Sequence, residues 1–173
     1  EMQRSPDAHA LLDGLNPEAR DVLLVMVNTG ARPSEITDAP AEDWRTAAAI
    51  PHLVIAANGR ELKAAHTARE IPLLGVSLQA AERIAKAKGC GRYRDKAATW
   101  SATVNKYLRE NGLAETPRQS AYSLRHYVED RLLMTGLDDR IRADILGHEY
   151  KRPRYGEGSA LEGRRIALER IAL

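Results

Sequence analysis

The stretch Thr29-Gly-Ala-Arg-Pro-Ser-Glu-Ile36 decides how the chain is expected to fold, because it joins two predicted helices and carries a charged pair. Before it, Asn16 and Pro17 are typical of a helix cap and first turn, and the apolar run Val22–Val27 predicts a buried helix. The glycine of the stretch would end that helix, and its proline would open a short second one through Thr37. Arg32 is therefore predicted to lie at a helix–turn–helix junction.

The region of residues 51–74 has a different pattern. His52–Ala56 is rich in β-formers and predicts a strand, and Asn58-Gly59 is the favoured two-residue hairpin turn. Arg60–Ala64 could return as a second strand, and Arg69–Leu73 predicts a third. The sequence therefore predicts a small antiparallel sheet inserted in a helical protein.

The remainder of the chain has helical periodicity. Helices are expected over residues 77–88 and 99–111, around Leu124, Val128 and Leu132, over residues 138–146, and from Leu161 to Ile171. Their predicted N-terminal caps are Ser77, Thr99 and Asp138. Trp44 and Trp100 are interpreted as core or interface residues. The predicted fold class is mainly α with a small antiparallel β-sheet (α+β), in a single domain over residues 1–173.

Composition limits the classes of protein that fit. With 173 residues, 43% hydrophobic and 29% charged, the chain has the size and composition of one globular domain. Cys90 is the only cysteine, so an intramolecular disulfide or a zinc site with paired cysteines is excluded. No apolar run is long enough to span a membrane, and the first residues do not form a signal segment. We therefore expect a cytoplasmic protein with no membrane partner; a net charge of +2 is a weak argument for a nucleic-acid partner.

Four features that carry chemistry follow one another along the chain. Arg32 comes first, and Lys63 follows in the hairpin region, six residues before Arg69. Tyr122-Ser-Leu-Arg-His126 then opens a helix, and Leu146-Gly-His148 precedes Tyr155 by seven residues. Two arginines can clamp a phosphodiester, a tyrosine can attack phosphorus, and lysine and histidine can donate protons or hydrogen bonds. Such a set needs neither a metal ion nor another cofactor.

These features resemble the catalytic domain of the tyrosine recombinases (phage integrases) over about Leu12 to Tyr155. The first-arginine motif of that family, T-G-x-R-x-x-E, is complete at residues 29–35. Its H-x-L-R-H motif appears with Tyr122 in the first position, and its L-G-H motif ends at His148. Four motifs in this order and context are a far more specific signal than any one alone.

The resemblance implies a role for each matched residue. Arg32 and Arg125 would clamp the phosphate, and Lys63 would protonate the leaving oxygen. His148 would donate a hydrogen bond to the phosphate, and Tyr155 would be the nucleophile. The implied activity is that of a site-specific recombinase, which cleaves and rejoins DNA through a 3′-phosphotyrosine intermediate.

Four neighbouring residues have a less direct role or depart from the family pattern. Glu35 would support the site, and His126 would either hold Arg125 from a buried position or act directly. Tyr122 replaces the usual histidine; with an ordinary pKa of about 10, a tyrosine is a poor base near neutral pH but can still hydrogen-bond a phosphate. Tyr150 is a rival nucleophile, which we expect to lie too near the preceding helix end to react.

The implied partners are duplex DNA and, in the full-length protein, three further copies in a homotetramer joined through the C-terminal segment from Gly158. The N-terminal DNA-clamping domain that precedes the catalytic domain in the family is expected to be missing from this chain. Two alternatives stay open at this stage. One is DNA relaxation like that of a type IB topoisomerase, and the other is a DNA-binding module that has lost catalysis, which the replacement at Tyr122 favours.

Overall fold

The computed structural model describes residues 10–56, 67–150 and 160–173. Within these ranges the α-helices are, in chain order, α1 (Pro17–Thr29), α2 (Pro33–Thr37), α3 (Gly75–Lys86), α4 (Ala97–Glu110), α5 (Ser123–Met134), α6 (Asp139–Leu146) and α7 (Leu161–Glu169). The strands in the same ranges are β1 (Trp44–Arg45), β2 (His52–Ile55) and β3 (Arg69–Pro72). Short 3₁₀ turns cover Ala10–Leu12 and Ala41–Asp43. None of the helices in the described ranges is long and apolar enough to cross a membrane.

Helix α1 lies at the centre of the domain and packs against α2, α3, α4 and α5. It begins as predicted, since the Asn16 side chain accepts a hydrogen bond from the backbone N–H of Ala19 at 3.0 Å. It ends at Gly30, whose φ of 60° is left-handed, a conformation that glycine adopts without steric cost. Trp100 of α4 is fully buried and donates its indole N–H to the carbonyl of Ala19, which confirms its core position.

The sheet has the order β1-β2-β3, with both pairs antiparallel. Leu53 of β2 lies opposite Trp44 on one side and Ile71 on the other, and all three side chains are buried. Strand β1 was not predicted, because two residues are too few for a periodic signal. The predicted turn at Asn58-Gly59 and strand at Arg60–Ala64 lie outside the described residues.

Two of the three predicted helix caps are wrong. Helices α3 and α4 each begin two residues before the predicted cap, and Thr99 lies inside α4. Ser77 is fully buried, donates to the carbonyl of Leu24 at 2.7 Å and accepts from the backbone N–H of Asn28 at 3.2 Å. Its hydroxyl therefore joins α3 to α1 instead of capping α3. Asp138 does cap α6, since it accepts from the N–H of Arg140.

The C-terminal residue is fixed to α1. The Asn28 side chain accepts from the backbone N–H of Leu173 at 2.9 Å and donates to its carbonyl at 3.0 Å. The N–H of Val76 donates to the same carbonyl at 3.2 Å. Helix α7 packs on β3 and α6. Leu173, which belongs to the segment predicted to join subunits, thus packs on its own domain. Its partner Asn28 lies two residues before the glycine that ends α1.

Candidate active site

The turn between α1 and α2 holds Arg32 and Glu35 in a fixed relation. Arg32 precedes α2, and Pro33 occupies the first helical position. The carboxylate of Glu35 accepts from the backbone N–H of Arg32 at 2.8 Å and from its guanidinium at 2.9 Å. The local sequence thus fixes both the backbone and one side of the Arg32 side chain, which is 30% exposed and can still reach a ligand.

A second arginine binds the same carboxylate, and sequence reasoning missed its part in the site. Arg69 of β3 donates from Nη1 and Nη2 to the two oxygens of Glu35, both at 2.9 Å. Its Nε donates to the carbonyl of Ile145 and its Nη1 also to that of Thr67, both at 2.8 Å. A signal was available, because strand alternation places Arg69 on the same buried face as Ile71, and a buried arginine requires a partner.

The charge of Glu35 results from opposing effects. Burial would raise the pKa of its carboxyl, but hydrogen bonds and the positive charge from Arg69, and then from Arg32, hold it below the ordinary value. Glu35 is therefore an anion at neutral pH. It balances part of the positive charge of the arginines around it.

Arg125 lies in the first turn of α5 and is almost completely buried, with 2% of the residue exposed. Its Nη1 donates to the carbonyl of Gly30 at 2.7 Å, and its Nη2 donates to the carbonyl of Leu146. Burial, and next the charge of Arg32, lower its pKa to about 10, so that it is still a cation at neutral pH. Two of the five N–H donors of Arg125 thus join the end of α1 to the end of α6.

The end of α6 carries His148 and is capped by the two buried arginines. Gly147 is left-handed, with φ at 65°, and a Cβ atom at this position would lie 2.5 Å from Nη1 of Arg69. Glycine is thus required here both for its φ angle and for space. The carbonyls of Ile145 and Leu146 accept from Arg69 and Arg125, which satisfies acceptors that a helix end leaves open.

His148 follows directly and lies near a carboxylate that sequence reasoning also missed. Its Nδ1 is 3.5 Å from Oε1 of Glu129, which lies on α5. Burial, and next the charge of Arg125, lower the pKa of His148, whereas Glu129 acts in the opposite direction. The charges of Arg32 and Arg69 also lower this pKa, so His148 lies within electrostatic reach of all three arginines.

Tyr122 and His126 form an exposed pair at the start of α5. Their rings are 5.6 Å apart and nearly perpendicular, at 73°. Tyr122 is 42% exposed and is within electrostatic reach of Arg125. His126 is exposed, so the alternative in which it holds Arg125 from a buried position is wrong. Backbone carbonyls, and not His126, hold Arg125.

The similarity of this chain to known proteins lies in its structure. No family model matches the chain, and no curated protein matches it. Solved structures do match: the integrase from Mycobacterium phage Brujita has a TM-score of 0.65 at 16% identity, over 99% of this chain and 60% of that one. The Tn1549 transposon integrase in complex with circular intermediate DNA has a TM-score of 0.62 at 17% identity, and in complex with transposon right end DNA 0.57 at 19%. Each covers 98% of this chain and 66% of the solved one.

The chain has the fold of the tyrosine integrases. The predicted fold class, mainly helical with a small antiparallel sheet, is confirmed. The chain spans between three fifths and two thirds of the length of these solved chains.

Within the integrase fold, the predicted site residues divide into two groups. Arg32, Glu35, Arg125 and His148 come together at one place, although they come from three separate parts of the sequence. Lys63 and Tyr155 lie outside the described residues, so their predicted roles stay predictions. No group of three or more histidine, cysteine, aspartate or glutamate side chains that could hold a metal ion occurs within the described ranges.

Proposed function

We propose that this chain is the catalytic domain of a site-specific DNA recombinase, which cleaves and rejoins duplex DNA through a 3′-phosphotyrosine intermediate. One observation carries the proposal. Arg32 lies so close to Arg125 that its charge helps to lower the pKa of Arg125. The charges of both arginines also lower the pKa of His148. Two guanidinium groups and an imidazole gathered in this way, on an integrase fold, favour a bound phosphodiester anion.

The two arginines would act on the phosphate in different ways. Arg32, which is partly exposed, would hydrogen-bond a non-bridging oxygen directly, while Glu35 keeps its side chain in place. Arg125 is nearly buried and fixed by two carbonyls, so it would supply positive charge and its remaining donors from a rigid position. Charges fixed before the reaction stabilise a more negative transition state without reorganisation at the moment of reaction.

His148 would respond to the arrival of the phosphate. In the free protein, burial and the arginines favour its neutral form. A phosphate anion next to the ring would raise its pKa, and Glu129 on the other side would favour the charged form as well. The resulting imidazolium has two N–H donors, one for the phosphate and one for Glu129.

The covalent steps depend on the two predicted residues outside the described ranges. The Tyr155 hydroxyl would attack phosphorus and release its proton to water, and the bond between phosphorus and the 5′ oxygen would break. Lys63 would give a proton to that oxygen, which leaves as a 5′-hydroxyl. In rejoining, a 5′-hydroxyl gives its proton to Lys63 and attacks the phosphotyrosine, and the bond between phosphorus and the Tyr155 oxygen breaks. The released Tyr155 oxygen takes up a proton from water. Because the phosphotyrosine retains the energy of the broken bond, the cycle needs no external energy source.

The partners of the proposal are duplex DNA and further copies of the protein. The integrase of Tn1549 has been solved in complex with DNA, which supports a DNA partner for this chain. We further propose a homotetramer on two DNA sites, in which the C-terminal segment from Gly158 exchanges between subunits. A DNA substrate is consistent with the cytoplasmic location expected from the sequence.

The test is a covalent trap with the natural full-length protein. It is incubated with a nicked duplex that carries the ends of its own genetic element, so that cleavage releases a short strand and religation is prevented. We expect a protein–DNA adduct that resists denaturation and is lost in Tyr155→Phe but retained in Tyr150→Phe. If the wild-type protein binds this duplex without forming an adduct, a DNA-binding module that has lost catalysis is the correct interpretation.

A second assay separates recombination from DNA relaxation. The protein is incubated with two DNA molecules that each carry a site, and separately with a supercoiled plasmid. A recombinase produces exchanged strands that depend on both sites. Relaxation of the plasmid without exchanged products would instead indicate activity like that of a type IB topoisomerase.

A further inference from the structure

We infer that Arg69 is a positioning residue for the proposed strand cleavage: it fixes Arg32, through Glu35, in relation to the turn that carries His148. The inference rests on the proposed function, because it concerns the same site. The sequence motifs did not assign this role to Arg69.

The guanidinium of Arg69 donates four hydrogen bonds and joins Glu35 to the end of α6. Its Nη1 and Nη2 bind the two oxygens of Glu35, and its Nε binds the carbonyl of Ile145. The side chain is only 3% exposed, so water has little access to replace a lost bond. A planar fork with donors on two edges can make these contacts at once, whereas the single ammonium of a lysine cannot.

Each partner of Arg69 is directly connected to a proposed catalytic residue. Glu35 also accepts from the backbone N–H and the guanidinium of Arg32. Ile145 lies three residues before His148, and the intervening Gly147 lies directly against the guanidinium of Arg69. Arg69 therefore helps to set the position of Arg32 relative to the turn that carries His148.

Arg125 connects the same two regions from the other side, but it does so differently. It binds the carbonyls of Gly30 and Leu146, and in the proposed function its charge acts on the phosphate. Arg69, in contrast, faces a carboxylate that already neutralises much of its charge. Removing Arg69 should therefore slow cleavage while DNA affinity stays nearly constant.

Loss of Arg69 should also leave a specific pH signature. The charged groups that face Glu35 are Arg32 before α2, Arg69 on β3 and Arg125 on α5. Burial acts to raise the pKa of Glu35, and Arg69 is the strongest opposing influence. Without Arg69, the Glu35 carboxyl should take up a proton at a higher pH and release Arg32 as it does so.

The test compares Arg69→Gln with wild type in the natural full-length protein. Adduct formation on the nicked duplex is measured in a single turnover between about pH 5.5 and about pH 8.5, together with DNA affinity by gel shift. We expect the adduct rate to fall about 100-fold, the loss that follows when a reacting group is misplaced by about 1 Å. DNA affinity should change less than about 3-fold, since uniform binding is retained. The rate of Arg69→Gln should fall further as the pH is lowered, and adding Glu35→Gln should remove this additional fall.

The matched control is Arg83→Gln, because Arg83 is also an arginine that binds a carboxylate through two nitrogens, that of Asp21, on the other side of α1. If Arg83→Gln and Arg69→Gln slow cleavage equally after correction for the folded fraction, or if the rate of Arg69→Gln does not fall further as the pH is lowered, the inference is wrong.

The NMR signal of the Arg32 Nε–H provides a readout that needs no cleavage. It should be sharp in wild type and Arg83→Gln and broadened in Arg69→Gln. If wild type forms no adduct but the Arg32 Nε–H signal is broadened only in Arg69→Gln, the proposed function is wrong and the positioning role of Arg69 stands.

Discussion

The two ends of α1 are both held by polar side chains, but they differ in how the charges are balanced. At the N-terminal end, the Glu18 carboxylate accepts from the backbone N–H groups of Gly91, Arg92 and Tyr93, at 3.1, 3.1 and 2.7 Å. Asn16 donates to the hydroxyl of Tyr93 at 2.8 Å. A carboxylate in the first turn of a helix is also favoured by the helix dipole. These contacts satisfy one another without any ligand.

At the C-terminal end, positive charge exceeds negative charge. Arg32, Arg69 and Arg125 converge there on one buried carboxylate, that of Glu35. Their mutual repulsion adds to the effect of burial in lowering the pKa of Arg125 to about 10. An anion bound at this end would relieve the repulsion, whereas an anion at the other end would not. The difference supports the proposal that the C-terminal end of α1 binds an anion, whereas the contacts at the N-terminal end stabilise the fold.

The largest effect that would separate the two ends is expected from Arg125→Ala. The substitution leaves the carbonyls of Gly30 and Leu146 without their charged donors, at a cost of about 1.5–3 kcal/mol each, so the free energy of unfolding should fall by roughly 3–6 kcal/mol. Adduct formation should fall by about three orders of magnitude, because fixed positive charge next to the phosphate is lost. Urea unfolding and the covalent trap measure the two effects.

Arg83→Ala is the matched comparison at the N-terminal half of α1. Arg83 is partly exposed, with 40% of its side chain accessible, but the Asp21 carboxylate is nearly buried, so the loss of the ion pair should cost about 1–3 kcal/mol. The adduct rate should equal that of wild type. An equal loss of cleavage in Arg83→Ala and Arg125→Ala would remove the distinction between the two ends.

The next largest effect is expected from Gly147→Ala, which presses a Cβ atom against Arg69. Its counterpart is Gly136→Ala, because Gly136 has nearly the same φ, 69° against 65°, but no atom within 4 Å of an added Cβ. Each substitution should cost about 1–2 kcal/mol for the left-handed backbone. Gly147→Ala should cost roughly 1–3 kcal/mol more, because the guanidinium must move. Equal urea midpoints for the two variants would show that the close approach to Arg69 has no energetic weight.

The sequence predicted the elements with strong local signals. The Asn16–Pro17 start and Gly30 end of α1, the Asp138 cap and Gly147 end of α6, and the β-forming residues of β2 reflect local preferences that a few residues express by themselves. The wrongly predicted cap of α3 depends on a distant partner. Ser77 resembles a helix cap in sequence, but its hydroxyl binds α1, which no local pattern indicates.

The candidate site shows the same division. The motifs identified Arg32, Arg125 and His148, which the fold brings within electrostatic reach of one another. They did not identify Arg69 or Glu129, since each acts through a residue far away in the sequence, Glu35 in one case and His148 in the other. Strand alternation could have indicated that Arg69 is buried, but its partner Glu35, and the contact of Glu129 with His148, become visible only in the fold.

A smaller effect is expected from Glu18→Gln at the N-terminal end of α1. The amide has nearly the same shape, but it loses the negative charge and half of the acceptor capacity that three backbone N–H groups use. The free energy of unfolding should fall by about 1–2 kcal/mol, as expected when charge-assisted hydrogen bonds become neutral ones. Cleavage should keep the wild-type rate and pH profile. A change in either would mean that the two ends of α1 are coupled.

The smallest effect concerns the pH dependence of stability at the C-terminal end. Burial, and next the charge of Arg125, lower the pKa of His148 in the folded protein below the value of about 6.5 that is usual for an unfolded chain. The unfolded state therefore binds more protons in the window just below that value. The contribution of His148 to stability is complete above about pH 6.5 and is lost as the pH falls towards and through the folded pKa.

His148→Gln should flatten this acid decrease in thermal stability, whereas His126→Gln, at an exposed position on the neighbouring helix, should leave the wild-type slope. If the two variants gave the same slope, His148 would not be coupled to the arginines. Nicked duplex DNA should reverse the direction of the shift, because a phosphate next to the ring favours the imidazolium. A pKa of His148 that rises on DNA binding, followed through its ring protons by NMR, would locate the anion at the end of α1 where positive charge is in excess.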